Sequence, residues 1–412
     1  MLLTNFVVAA MLAQPLLSQD LQGDWNGKLS LPNGASLTLV LHIATDETGQ
    51  PVCTLDSPDQ GAKGMPMTVG HLSADSVSVN LPMLGAAYQA RLTDDVLHGT
   101  FMQMGQRFPL DLKRGADNVR RPQHPQPPNA YRTEEVTFTN VADGAQLAGT
   151  LIYPVKSAKH TRHTPVVLLV SGSGLQNRDE ELFDHKPFLV IADALAKAGI
   201  ASLRYDDRTF GQSVGGDALH ATTQDFARDA VAGVEFLRQH GDFDRVGVLG
   251  HSEGASIAFM LGASKSVDFV ISMAGIGAKG DAVLAAQMNR AIELQGGQST
   301  ATVETIRSSV AKMATPWMQW FIDYDPARDI AATRCPVMAL NGDKDSQVIA
   351  SQNLPLIKAN LSRNKKNIIR EYADLNHLFQ HCTTGSATEY RAIEETISPE
   401  VLHDICEWIL SL

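Results

Sequence analysis

The sequence predicts an α/β protein, a mostly parallel sheet flanked by helices, preceded by a small all-β antiparallel domain. Three observations carry this. Residues 20–114 alternate apolar and polar side chains with period two, and no helical period competes. From Tyr131 onward, apolar strands alternate with amphipathic helices, the pattern of a parallel sheet covered on both faces. Between them, residues 115–130 contain Arg120-Arg121-Pro122-Gln123-His124-Pro125-Gln126-Pro127-Pro128-Asn129, proline-dense and nearly free of apolar residues, which predicts an extended, semi-rigid spacer. A chain of 412 residues is also too long for one ordinary core.

The chain opens on an apolar stretch, Met1 to Leu17, with no acidic residue before Asp20. It reads as a signal peptide over residues 1–19, which predicts a secreted or periplasmic protein. It departs from that pattern in lacking Lys or Arg and in placing Pro15 in the cleavage region. Cleavage is expected between Ala13 and Gln19; the alternative is an uncleaved N-terminal tail on a cytoplasmic protein. Asp24–Leu31 and Ser36–Ile43 then alternate around a Pro32-Asn33-Gly34 turn, and short alternating runs follow through Phe101. A small antiparallel sandwich or barrel is expected. The role of this domain stays open between glycan binding, dimerisation, a lid and a passive module.

In residues 131–412, strands are expected at 135–139, 146–153, 164–170, 200–205, 246–249, 269–273, 337–340 and 368–372. Helices are expected at 188–198, 222–240 (closed by Gly241), 252–262, 354–360 and 399–412. Residues 277–330 interrupt the alternation with a helical, aromatic-rich segment (Trp317, Trp320, Phe321, Tyr324). It is a candidate cap walling a substrate pocket, or ordinary core packing.

Composition excludes several classes. Hydrophobic content of 44% and charge of 19% are those of a globular protein, and a net charge of −11 opposes nucleic-acid binding. No apolar run of 18 residues exists in the body of the chain, so no membrane span is expected. The four cysteines, Cys53, Cys335, Cys382 and Cys406, form no C-x-x-C; Cys335 and Cys406 read as apolar packing residues, and one disulfide is left open.

The chemistry centres on Arg245-Val246-Gly247-Val248-Leu249-Gly250-His251-Ser252-Glu253-Gly254-Ala255. A strand, G-H-S-E-G and a helix start form a nucleophile elbow, which lifts Ser252 into the open. The same spelling recurs at Gly211-Gln212-Ser213-Val214-Gly215. That copy lacks a flanking strand and helix, so Ser213 reads as a loop serine. Serine needs a base, and the base needs an orienting acid. Past the strand 337–340 come Asp343 and Asp345; Asp345 is preferred as the acid, with Asp343 as the fallback. Past the strand 368–372 comes His377, the expected base. His377 and His381 could also share a metal, but no third ligand accompanies them, so neither metal nor cofactor is expected. His160 and His163 read as solvated, and His251 as shaping the elbow. The oxyanion hole is expected from the amides of Glu253 and of Ser173, with Gly174 next, in the loop Ser171-Gly172-Ser173-Gly174-Leu175-Gln176-Asn177-Arg178-Asp179-Glu180. This loop lacks the G-K-[ST] of a phosphate-binding loop.

The elbow, the loop S-G-S-G-L-Q-N-R-D-E, the segment R-Y-D-D-R-T-F-G-Q-S, the turn N-G-D-K-D-S-Q-V and the loop L-N-H-L-F-Q together resemble bacterial serine hydrolases of the α/β-hydrolase superfamily. More narrowly, they are similar to secreted esterases with an N-terminal β domain, related to serine aminopeptidases and prolyl-oligopeptidase-like enzymes. The resemblance spans about residues 134–412. It implies an α/β-hydrolase fold with Ser252 as nucleophile, Asp345 as acid and His377 as base. One departure is Thr209, where that group usually has Gly after Arg208. The expected function is a serine carboxylic-ester hydrolase cleaving short acyl esters through an acyl-enzyme, with small acyl esters or acylated carbohydrate as substrate. The alternatives are a peptidase or aminopeptidase on short peptides and a non-catalytic glycan-binding protein on a hydrolase scaffold.

Overall fold

The computed structural model describes residues 21–31, 36–115, 119–154, 164–240, 243–313 and 315–412. The expected signal peptide, the Pro32-Asn33-Gly34 turn, His160, His163 and Gly241 lie outside the described residues. The chain divides into two units, Met1–Val119 and Arg120–Leu412.

The first unit is a closed antiparallel barrel. Strands β1 (Gly23–Ser30), β2 (Ser36–Thr45), β3 (Pro51–Ser57), β4 (Ala62–Leu72), β5 (Ser76–Leu81), β6 (Ala86–Thr93), β7 (Val96–Gln103) and β8 (Gln106–Arg114) pair in chain order. β1 then closes onto β8, with Trp25 opposite Arg114 and Asn26 opposite Lys113. Of the two architectures expected, the barrel is the one formed. Closure removes the exposed strand edges that a sandwich would leave. Eight strands enclose a space that side chains can fill, and Trp25, Leu41, Ile43, Val79, Leu81, Tyr88 and Leu97 fill it. The buried aromatic tips are satisfied by backbone: Trp25 Nε1 donates to Leu21 O (2.9 Å), and the Tyr88 hydroxyl reaches Leu97 O and Leu110 O (3.1 Å each).

The second unit is built on an eight-stranded sheet of β9 (Arg132–Asn140), β10 (Ala145–Tyr153), β11 (Pro165–Val170), β12 (Ala201–Tyr205), β13 (Arg245–His251), β14 (Phe269–Met273), β15 (Val337–Gly342) and β16 (Ile368–Tyr372). Its order is β16-β15-β14-β13-β11-β12-β10-β9. The β9–β10 and β10–β12 pairs are antiparallel and the remainder parallel. The central strands are buried along their length because helices cover both faces. These helices are α1 (Pro187–Ala198), α2 (Thr223–Gln239), α3 (Glu253–Ala263), then α4 (Gly280–Leu294), α5 (Val303–Met313), α6 (Pro316–Asp323) and α7 (Ala327–Ala332), then α8 (Ala350–Asn360) and α9 (Pro399–Ser411). Thr222 opens α2 through a capping box with Asp225, which satisfies two otherwise unpaired amides. The interruption at 277–330 is the run α4 to α7.

Two features differ from the reading of the sequence. The proline-rich segment from Arg120 is not a free spacer. Arg121 donates to the carbonyls of Phe183 (3.1 Å), Asp184 (3.2 Å), Arg391 (2.7 Å) and Ile393 (2.8 Å). Gln123 brackets Thr396 N (2.6 Å) and Ile397 O (2.7 Å). Secondly, Thr209 adopts φ 61°, the backbone conformation that the more usual glycine would take freely. The fold holds it there from the preceding residue. Arg208, fully buried, grips Asp229 with two hydrogen bonds of 2.8 Å and Asp143 with one of 2.7 Å. Thr209 itself is exposed. Thr209→Gly is therefore expected to raise unfolding free energy by about 0.5–1 kcal/mol, the relief of a strained φ less the added freedom of the unfolded chain. Urea denaturation measures this; an unchanged or lower midpoint refutes it.

Candidate active site

The site is built at the carboxyl edge of the parallel strands, where loops from adjacent strands converge. Strand β13 runs directly into α3 through Ser252, which has φ 54° and ψ −115°. That conformation is strained for a residue with a side chain, and it turns the hydroxyl out of the chain path. Glycine is required on both sides. A Cβ on Gly250 would lie 1.9 Å from the Gly254 carbonyl oxygen, and one on Gly254 would lie 2.1 Å from that of Val170. The contact between these two glycines therefore sets the sharpness of the turn. Ser252 N donates to Met273 O (2.9 Å), tying the elbow to the end of β14.

The acid and the histidine arrive from β15 and β16. His377 Nδ1 lies 2.8 Å from Asp345 Oδ2, and both side chains are buried. Asp345 Oδ1 accepts from Gln347 N (2.8 Å) and Val348 N (2.9 Å), so backbone amides aim the carboxylate. Asp343 is exposed and caps Asp374 N at 2.7 Å instead. The chain path separates the two acids: Gly342 N is still in β15, Asp343 lies at the rim, and Asp345 turns inward. No hydrogen bond joins Ser252 to His377 among the described residues; such contacts commonly tighten only when substrate binds.

The loop after β11 lies beside the elbow because β11 and β13 are sheet neighbours. A Cβ added to Gly172 would lie 3.3 Å from the Ser252 Cβ, so the loop closely approaches the serine. Gly172 N donates to Glu180 Oε1 (2.8 Å), and Ser173, the next residue, is exposed. Glu253, the first residue of α3, is buried and accepts from Thr223 Oγ1 (2.6 Å) and Trp317 Nε1 (2.7 Å), with Ser173 a further side-chain partner. Burial raises the Glu253 carboxyl above its ordinary range, partly offset by these donors. Nearby Asp207 accepts from Gln176 N (2.7 Å), and burial pushes it up to about 8. Asp207 and Glu253 line one small cavity with Ser171, Gly172 and Gly174. Burial is the first cause of the upward shift in both carboxyls beside this loop.

Other side chains singled out in the sequence lie elsewhere or act structurally. Ser213 is buried, accepting from Ala148 N (2.9 Å) and donating to Asp206 O (2.7 Å). His381 is exposed and pairs with Glu395 (2.8 Å), so it and His377 face different carboxylates. Among the described residues, no cluster of three or more potential metal ligands occurs, and all four cysteines are free thiols. A cavity of about 870 Å³ lies between α2, α3, α6 and α7, lined by Trp320, Tyr324, Arg228 and Arg328, and none of the site residues above borders it. Sequence reading missed the contact of Trp317 with Glu253 and the joining of Glu180 to His251. Both are side-chain meetings across elements, which no local spacing encodes. Ser213→Ala is expected to leave Ala148 N without its buried partner and to lower stability by about 1–3 kcal/mol. Turnover of p-nitrophenyl acetate per folded molecule should be unchanged. A loss of turnover matching that of Ser252→Ala would reassign the nucleophile.

Three comparisons bear on this arrangement. Residues 186–317 match the family model described as "Serine aminopeptidase, S33". Esterase EstD of Thermotoga maritima is 25% identical over 295 residues, 69% of this chain and 68% of that protein. Among solved structures, the Pyrococcus furiosus esterase Pf2001 superposes with a TM-score of 0.47 at 16% identity, covering 72% of this chain and 95% of that one. Est1E from Butyrivibrio proteoclasticus gives 0.42 at 16% identity, covering 67% and 98%. With its strand order and its elbow after β13, the chain has the α/β-hydrolase fold, and residues 186–317 are similar to the serine aminopeptidase family.

Proposed function

We propose that the chain is a serine carboxylesterase that cleaves short acyl esters through an acyl-enzyme. The observation that carries the reading is the buried Asp345–His377 hydrogen bond beside a serine held at positive φ. With Nδ1 donating to Asp345, His377 presents Nε2 as a lone pair, the tautomer a base requires. Ser252 Oγ attacks the ester carbonyl carbon while His377 takes the hydroxyl proton. The carbonyl oxygen becomes an oxyanion, held by the amides of Glu253 and Ser173. Collapse breaks the carbon–oxygen bond to the alcohol, which leaves with the proton from His377. Water then attacks the acyl-enzyme, His377 again takes and returns a proton, and the acid departs. Asp345 orients the ring throughout. The name of the Thermotoga relative supports an ester substrate. Export remains part of the reading, on the apolar stretch Met1–Leu17.

Peptidase activity is the second reading, favoured by the description of the matching family model. An aminopeptidase needs an acidic group to receive the substrate ammonium. The carboxyl nearest the elbow, Glu253, is already engaged by Thr223, Trp317 and Ser173, which favours esters.

Ser252→Ala is expected to lower kcat for p-nitrophenyl acetate on the order of 10⁴-fold or more, and Asp345→Asn by about 10³–10⁴-fold. Asp343→Asn should remain within about threefold of the parent, because that residue does not reach His377. A fully active Ser252→Ala, or an Asp343→Asn as impaired as Asp345→Asn, would overturn the assignment. Acyl p-nitrophenyl esters of increasing chain length should turn over faster than aminoacyl p-nitroanilides, with Ser252→Ala as the blank. Faster turnover of the anilides makes the chain a peptidase.

A further inference from the structure

His251 lies inside the elbow, immediately before Ser252, and is buried. Both its ring nitrogens are engaged. Nε2 lies 2.9 Å from the His377 carbonyl oxygen, and Nδ1 lies 2.9 Å from Glu180 Oε1. A carbonyl can only accept, so Nε2 carries hydrogen. Nδ1 then faces the carboxylate with a second proton on the line between them. Burial opposes charge on His251, but the Glu180 carboxylate outweighs it and raises the imidazole above its ordinary value. The ring centroids of His251 and His377 are 4.8 Å apart.

Glu180 is a costly residue to place here. It is 1% exposed, sits at φ 51°, and has an Oε2 without a hydrogen-bond partner among the described residues. A long side chain in left-handed backbone with half of a buried carboxylate unsatisfied is a poor device for stability alone. Its other oxygen accepts from both His251 and Gly172 N. One carboxylate thus meets the loop that carries the Ser173 amide, and through His251 it meets the backbone of the base. Three chain segments far apart in sequence, Gly172, His251 and His377, are joined by one hydrogen-bonded line.

We propose that Glu180 and His251 are a positioning pair that holds the Gly172–Ser173 amide ledge and the His377 loop in register with Ser252. This rests on the reading of Ser252 and His377 as nucleophile and base. The pair touches neither substrate nor reacting atoms. It acts by fixing where the oxyanion donor and the base stand when the tetrahedral intermediate forms, so its loss is expected in kcat more than in KM. Because the two side chains act through one line, removing both should be no worse than removing the more damaging one.

The test uses Glu180→Gln, His251→Gln and the double variant in the full chain, with p-nitrophenyl acetate as substrate. Rates are normalised to serine titrated by a fluorophosphonate, so that any unfolded fraction does not count. Each single variant is expected to lose about 10–100-fold in kcat with KM within about threefold, and the double variant to match the worse single. Three results would overturn the proposal: single variants with kcat within threefold of the parent, multiplicative losses in the double variant, or both singles failing to fold, which would make the pair part of the core. If only one single variant fails to fold, the other alone decides by the kcat criterion. Failure of the underlying reading is distinguishable: there Ser252→Ala retains activity, whereas here Ser252→Ala is inactive and the Glu180 and His251 variants are not impaired.

Discussion

The contact of Gly250 with Gly254 is the constraint on which the rest of the site depends. Gly250 can approach the Gly254 backbone this closely only because it carries no Cβ, while the missing Cβ of Gly254 leaves room for the Val170 carbonyl, and between them Ser252 takes its strained conformation from β13 into α3. From that single turn follow the half-buried position of Ser252, the start of α3 and the burial of His251. A softer turn would move all three together. The parallel sheet then sets the distances. Strands β11, β14, β15 and β16 lie beside or near β13 with their carboxyl ends on one edge, so each contributes one loop to the same place.

Those loops are fixed by polar bonds as well as by apolar packing of Leu375, Leu378 and Phe379. Asp345 is aimed by the amides of Gln347 and Val348, the 172–180 loop by Glu180 and Asp207, and α6 by the indole of Trp317 on Glu253. Low local dielectric strengthens each of these, and it makes a missing partner expensive. It is consistent that non-glycine residues at positive φ gather here, among them Glu180, Ser252, Ala274 and Phe379. Strain of this kind persists only where surrounding bonds over-determine the backbone. The barrel unit shows the opposite economy: its interior is closed by aromatic and aliphatic side chains, with the few polar tips turned onto backbone carbonyls.

Period and order are legible in the chain itself. Alternation by two identified the β unit, the switch to strand–helix alternation identified the sheet, and the flanking strand and helix separated Ser252 from the identically spelled Ser213. Ser213 shows why spelling alone misleads. Its glycines serve a loop that pairs with β10 at Gln146, and its hydroxyl is consumed by Ala148 N and Asp206 O. The barrel rather than the sandwich was not legible, because closure depends on two residue pairs between the first strand and the last. Nor was the docking of the proline-rich segment, where Arg121 bonds to carbonyls up to 272 residues away.

Sequence by itself determined which elements form and in what order they meet the sheet edge, because backbone propensity, hydrophobic period and the glycine requirement are local properties. It carried Ser252, His377 and a choice of two aspartates to that edge. Only the tertiary structure decided between Asp345 and Asp343 as the partner of His377, since a two-residue difference in a turn sends one carboxylate inward and the other to solvent. It alone joined Glu180 to His251, because that meeting depends on how two loops from neighbouring strands fold over one another. At the elbow itself the two levels coincide: the glycines are written in the sequence, and the atom each of them makes room for is visible only in the fold.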